Sequence, residues 1–233
     1  SIICVSENKI KINKKTKGNI TSYYFRLYRS TLSKVTILGY LFNKNVRNEI
    51  RYSLKYKNDI NILTIVKIIL LDYSKAKIIS AQSKKIIEKL NYESDETIFY
   101  SYWHDIRAVS ICLLKSHYPN SKFIARAHRW DIYFEANTPQ FLPFKGFLFK
   151  KLDHTILISE DAINYINNLF SEIPKSLKLF KLGKSNKRKR AILNRNENSF
   201  IICSCSTLIR VKRVDKIISA LALIRGLNIK WVH

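Results

Sequence analysis

The chain has 233 residues, with 42 lysines and arginines against 17 acids, so it is long enough for one large or two small domains and carries a formal charge of +25. That balance favours polyanionic partners such as nucleic acid, anionic lipid or phosphorylated substrates. Cys4, Cys112, Cys203 and Cys205 are too few and too irregular for a disulfide scaffold or a zinc site, and His104, His117, His128, His154 and His233 lack metal-ligand spacing. A reducing cytoplasm is the expected home, with no metal or cofactor.

The chain starts at Ser1 and contains no methionine, and reads as a piece of a longer protein. Residues 20–90 have a loosely helical pattern, with apolar clusters such as Tyr23-Tyr24-Phe25 and Ile62-Leu63-Ile65-Val66 between Lys/Asn-rich stretches. The longest apolar run, 60–71, is too short to span a bilayer and contains Lys67, so membrane contact would be peripheral. From residue 97 the pattern sharpens: a strand at 97–102, a helix at 105–116 ending before Pro119, and strands at 122–127 and 155–158. Ser159 is placed to cap a helix over 160–170, supported by Glu160 and Asp161 at its positive end. Strands alternating with helices predict an α/β fold with a parallel, doubly wound sheet.

Residues 184–198 are charged and lack apolar periodicity, which marks a linker between an N-terminal lobe, 1–183, and a second lobe begun at 199–233. The second lobe reads as one βαβ unit: a buried strand at 200–203, with Cys203 and Cys205 on one face, a helix at 214–224 closed by Gly226, and a strand at 229–232. The intervening loop carries Ser206, Arg210, Lys212 and Arg213, and a loop leading into a helix N-terminus suits a phosphate-bearing ligand. Two such lobes would leave a ligand-binding cleft between them. The dense basic run 184–190 falls in the linker, and there is no recognition helix, zinc-finger spacing or aromatic RNA-binding motif, so nucleic acid is not the expected partner.

At the end of the strand at 122–127 come His128, Arg129 and Asp131, where an imidazole can exchange a proton and an adjacent carboxylate can fix its orientation. The alternative is a structural pair in which Asp131 caps a helix and His128 is a hydrogen-bonded core residue. Trp103, in a similar loop beside a capping Asp105, would either stack on a sugar ring or pack beneath its loop.

Taken in order, Tyr100-Ser101-Tyr102-Trp103, Arg126-Ala127-His128-Arg129-Trp130-Asp131-Ile132-Tyr133, Leu142-Pro143-Phe144, Leu157-Ile158-Ser159-Glu160, Lys181-Leu182-Gly183 and 204–215 with Ala220-Leu221 resemble bacterial family-4 glycosyltransferases of the GT-B fold. The nearest are those assembling capsule, exopolysaccharide and lipopolysaccharide sugars. The resemblance covers 97–233. It implies two Rossmann-type lobes and a retaining, metal-independent hexosyl transfer from a nucleotide sugar to a lipid-linked or oligosaccharide acceptor, in the cytoplasm or peripherally on the inner face of the plasma membrane. It implies that His128 lies near the reacting sugar, with Asp131 as its neighbour, and that Lys212 binds the donor diphosphate with Arg213, Arg210 and Ser206. Trp103, Arg129 and Ser159 fall on the acceptor side. Thr207 replaces the family's donor-loop arginine, the paired glutamates would lie beyond His233 and the first strand before Ser1, so the chain alone is expected to be inactive. The competing reading is a non-catalytic basic module for nucleic acid or anionic membrane.

Overall fold

The computed structural model describes residues 2–6, 20–24, 34–55, 60–89, 97–172, 175–183 and 199–233, and divides the chain into two units, Ser1–Gly183 and Lys184–His233. In the first unit, β1 (Ile2–Ser6) and β2 (Ile20–Tyr24) pair in parallel. This corrects one expectation: 20–24 is a strand rather than part of a helical region. The β-branched and aromatic content of Ile20-Thr21-Ser22-Tyr23-Tyr24 accounts for the strand.

Three helices follow: α1 (Lys34–Gly39), α2 (Lys44–Lys55) and the long α3 (Ile62–Lys89). One face of α3 carries Ile65, Ile69, Tyr73 and Ala76 into the main core, against Val46, Val109, Phe123 and Leu148. Beyond it a four-stranded parallel sheet takes β3 (Ile98–Ser101), β4 (Lys122–Arg126), β5 (His154–Leu157) and β6 (Leu177–Leu179) in chain order. The unit is thus α/β with parallel pairing. The reversal of strand order that defines double winding does not occur among the described strands.

The sheet alternates sharply. Phe99, Ser101, Phe123, Ala125, Thr155 and Leu157 are buried, while Ile98 and Tyr100 on the other face of β3 are exposed. Phe99 stacks on Phe123 with centroids 4.7 Å apart. The connecting helices are α4 (Ile106–Cys112), α5 (Lys145–Lys151) and α6 (Glu160–Leu169). Asp105 caps α4, accepting from Arg107 N at 2.9 Å, and Ser159 caps α6, accepting from Ala162 N at 3.2 Å. The first of these helices ends at Cys112, short of 116, because turns at 113–117 carry Leu114 into the core.

The second unit contains β7 (Ser199–Cys203), α7 (Val214–Ala222) and β8 (Asn228–Val232), with β7 and β8 parallel. Phe200, Ile201 and Ile202 are exposed, and so are Cys203 and Cys205, of which Cys205 lies past the strand end. The expected buried strand with both cysteines on one face is therefore corrected: two strands and one helix give too few neighbours to bury a sheet face. The linker expected at 184–198 lies outside the described residues, as does the side chain of Cys4.

Candidate functional site

The carboxyl ends of β4 and β5 open into a pocket of about 370 Å³ lined by His128, Arg129, Tyr133, Ser159, Asp161 and Ala162, among others. Its position follows from the topology: parallel neighbours end on the same edge, and their loops, with the start of α6, converge there. The pocket unites three of the singled-out residues, His128, Arg129 and Ser159. Arg129 is exposed, whereas the Ser159 hydroxyl is engaged in the α6 cap. Tyr133 reaches across and donates its hydroxyl to Asp161 Oδ2, and burial together with that carboxylate pushes its phenol up to about 12.

His128 is half-buried, with its ring 4.7 Å from Tyr102 and 4.4 Å from Trp103. Both imidazole nitrogens are covered and make no full hydrogen bond among the described residues, although the ring faces the Asp131 backbone N–H across the turn in the manner of a capping box. Burial lowers its pKa, opposed by the Asp131 charge and reinforced by Arg126, so the ring is held toward its neutral form. Trp103 is also half-buried, packed against Tyr102, His128 and Trp130 with the Arg107 guanidinium 5.7 Å from its ring. The ring packs beneath its loop with one part still accessible, and Tyr102 and Trp130 are the exposed rings here.

Asp131 does not orient the imidazole. Fully buried at the end of a 3-10 turn, it accepts the backbone N–H of His128 on Oδ1 and that of His104, at 2.8 Å, on Oδ2. The carboxylate braces the β3 and β4 strand-end loops, and the reading of Asp131 as the imidazole's partner is corrected accordingly. Both carboxylate oxygens are taken by backbone donors, and no hydrogen bond joins them to the imidazole.

Sequence reasoning missed a buried polar group next to this brace. Lys145, at 4% exposure, donates to the His104 carbonyl and lies 3.4 Å from His104 Nδ1, while Thr155 Oγ1 lies 3.4 Å from Nε2. Glu49, 5% exposed on α2, accepts the N–H of Phe144 at 2.7 Å, fixing a left-handed residue with φ of 64° at the start of α5. Burial pushes Glu49 up to about 7 and Lys145 down to about 8, and it depresses His104 well below the usual imidazole range. The available signal was Glu49 itself, an acid among the apolar-face positions Val46, Ile50 and Ser53 of an otherwise basic helix. Lys145 and Asp131 also line a second pocket of about 260 Å³, walled by Trp130, Pro139 and Phe141.

In the second unit, Ser206 lies in the loop after β7, and Arg210 and Lys212 occupy a 3-10 turn leading to α7. All three are exposed, and no ion pair holds Arg210 or Lys212 among the described residues. Arg213, at φ of 50°, caps that turn and turns its guanidinium to Asp215 at 3.4 Å. Its charge is thus partly engaged in an intra-loop pair. Among the described residues no group of three or more His, Cys, Asp or Glu is placed to hold a metal ion, and no helix is long and apolar enough to cross a membrane. No family model and no curated protein matches the chain.

Proposed function

We propose that this chain is the acceptor lobe and the beginning of the donor lobe of a retaining GT-B glycosyltransferase, moving a sugar from a nucleotide sugar to a lipid-linked or glycan acceptor in cell-surface polysaccharide synthesis. The observation that carries the reading is the pocket at the carboxyl ends of β4 and β5, where Arg129 and Ser159 meet His128, whose two ring nitrogens make no full hydrogen bond among the described residues. A buried polar atom left unpaired costs about 1–3 kcal/mol, a cost that a hydroxylated ligand relieves when its binding uncovers the His128 ring.

In this reading the donor C1–O bond breaks, the electron pair leaves on the diphosphate, and the acceptor hydroxyl forms the new bond to C1 on the face the diphosphate left while passing its proton to an oxygen of the departing diphosphate. The cations Arg210 and Lys212, with Ser206 and the N-terminus of α7, stabilise the departing charge. Arg213 contributes less, being paired with Asp215. Peripheral contact with anionic membrane fits the outer face of α2, where Lys44, Arg47 and Arg51 are exposed next to Phe42, which is 83% exposed.

The test is titration of the chain with nucleoside diphosphates and, separately, with a duplex oligonucleotide at moderate salt. Saturable nucleotide binding that weakens about tenfold in Lys212→Ala supports donor binding. Steeply salt-dependent duplex binding without nucleotide preference rejects it in favour of a non-catalytic basic module.

A further inference from the structure

The second pocket, of about 260 Å³, shares the 3-10 turn Arg129–Asp131 with the first: Arg129 lines one, Trp130 and Asp131 the other. Its charged groups offset one another in pairs. The Arg107 guanidinium holds Asp105, Lys75 Nζ donates to Asp72 Oδ1 at 3.2 Å, and the buried Asp131 has the buried Lys145 as its nearby counter-charge.

What remains in the lining is capacity to accept hydrogen bonds. Asp72 Oδ2 accepts none among the described residues. Asn137 spends its Nδ2 on the carbonyls of Trp130 and Tyr133, at 2.8 and 3.0 Å, which fixes the orientation of the amide and leaves Oδ1 with no donor among the described residues. Neither oxygen is sealed from solvent, so a ligand in the pocket can reach them. Burial pushes the Asp72 carboxyl up, and the Lys75 charge and hydrogen bond pull it back only in part, as expected of a carboxylate short of donors.

Most of the other lining is apolar and includes Phe141, Leu142 and the Trp130 ring, which is 40% exposed. A cation is a poor match, because each carboxylate already has its counter-charge. An acyl chain is no better, since it would cover two acceptors without giving either a donor. A neutral ring with an apolar C–H face and hydroxyl donors around its edge meets both demands. The volume lies below the roughly 300–1,000 Å³ of a drug-sized site and suits a single ring.

We propose that this pocket is a subsite for one pyranose ring, packed on Trp130 with hydroxyls donating to Asp72 Oδ2 and Asn137 Oδ1. Resting on the sugar-transfer reading, the ring is a sugar of the acceptor, held across the Arg129–Asp131 turn from the first pocket; the subsite itself requires only a pyranose. Asp72, Trp130 and Asn137 are then binding residues.

The experiment titrates the whole ¹⁵N-labelled chain with the methyl glycosides of glucose, galactose, mannose and N-acetylglucosamine, and with tetramethylammonium as a cationic control. NMR follows the indole N–H signals of the three tryptophans, with Trp130→Phe assigning that of Trp130. At least one glycoside is expected to move the Trp130 signal saturably. Asp72→Asn, which keeps the shape of the side chain and removes its charge, should weaken that glycoside about tenfold, and Trp130→Ala about as much. Lys75→Ala, which removes the exposed partner of Asp72 Oδ1, should leave the affinity within about twofold. No glycoside moving the Trp130 signal, equal affinity in Asp72→Asn, a loss as large in Lys75→Ala, or tetramethylammonium bound in preference to every glycoside overturns the subsite. Glycoside binding that depends on Asp72 and Trp130, in a chain that binds no nucleoside diphosphate, keeps the subsite and removes the sugar-transfer reading. Nucleoside diphosphate binding with no glycoside at Trp130 keeps that reading and removes the subsite.

Discussion

Replacing Glu49 by glutamine should change how stability depends on pH, because the folded glutamate is protonated over a range in which the unfolded one is ionised. Burial raises Glu49 from 4.5 to about 7, while the Phe144 N–H and the Lys145 charge pull the other way. A group raised on folding contributes stability that is complete below its unfolded value and lost as pH climbs to its folded value. The gap of about 2.5 between 4.5 and about 7, at about 1.4 kcal/mol for each tenfold, makes that loss about 3 kcal/mol. In Glu49→Gln the carboxamide keeps an oxygen for Phe144 N–H and does not titrate. The groups facing Glu49 and Lys145, namely Asp72, Asp105, Asp131 and His104, are present in both proteins, and their contributions largely cancel in the difference. Urea unfolding followed by the fluorescence of Trp103 and Trp130 at a series of pH values reads it directly. The variant should be similar to wild type near pH 4.5 and more stable by about 3 kcal/mol at pH 8. Parallel stability curves across that range would refute the assignment of Glu49 as a buried, late-ionising acid.

Asp131→Asn leaves one of two backbone donors facing an amide N–H, so unfolding in urea should show a loss of about 2–4 kcal/mol, and a loss under about 1 kcal/mol would mean that the loops are held by other contacts. His128→Phe removes two unpaired nitrogens while filling the same space between Tyr102 and Trp103; stability should hold or rise by about 1 kcal/mol in urea unfolding, and clear destabilisation would contradict the unpaired state. Charge reversal at Arg47 and Arg51 together should lower retention on vesicles containing anionic lipid at least about tenfold, with undiminished retention excluding the α2 face as the contact.

Much of the local structure was written in short-range signals. Asp105 and Ser159 cap helices because each supplies an oxygen two or three residues from an orphan N–H, a relation contained in a few consecutive residues. The strands near 98, 122, 154, 199 and 228 were visible for the same reason, as apolar runs bounded by turn residues. The strand at Ile20–Tyr24 was obscured because its aromatic cluster also fits a helical period, and parallel pairing with β1 decides between the two.

The site divides along the same line. Placing His128, Arg129 and Ser159 at strand ends needed only the sequence, since a parallel α/β pattern puts such loops on one edge. Which groups satisfy one another did not follow from it: Asp131 and His104 are 27 positions apart, Glu49 and Phe144 are 95, and burial decides both pairs. The amino-acid order by itself determined the alternation of strands and helices, the caps and the strong positive charge, because these depend on neighbours in the chain. Only the tertiary structure decided that Asp131 braces two loops, that Glu49 and Lys145 are sealed together, and that the Phe200–Ile202 stretch stays exposed, because desolvation depends on what packs against a residue from distant parts of the chain.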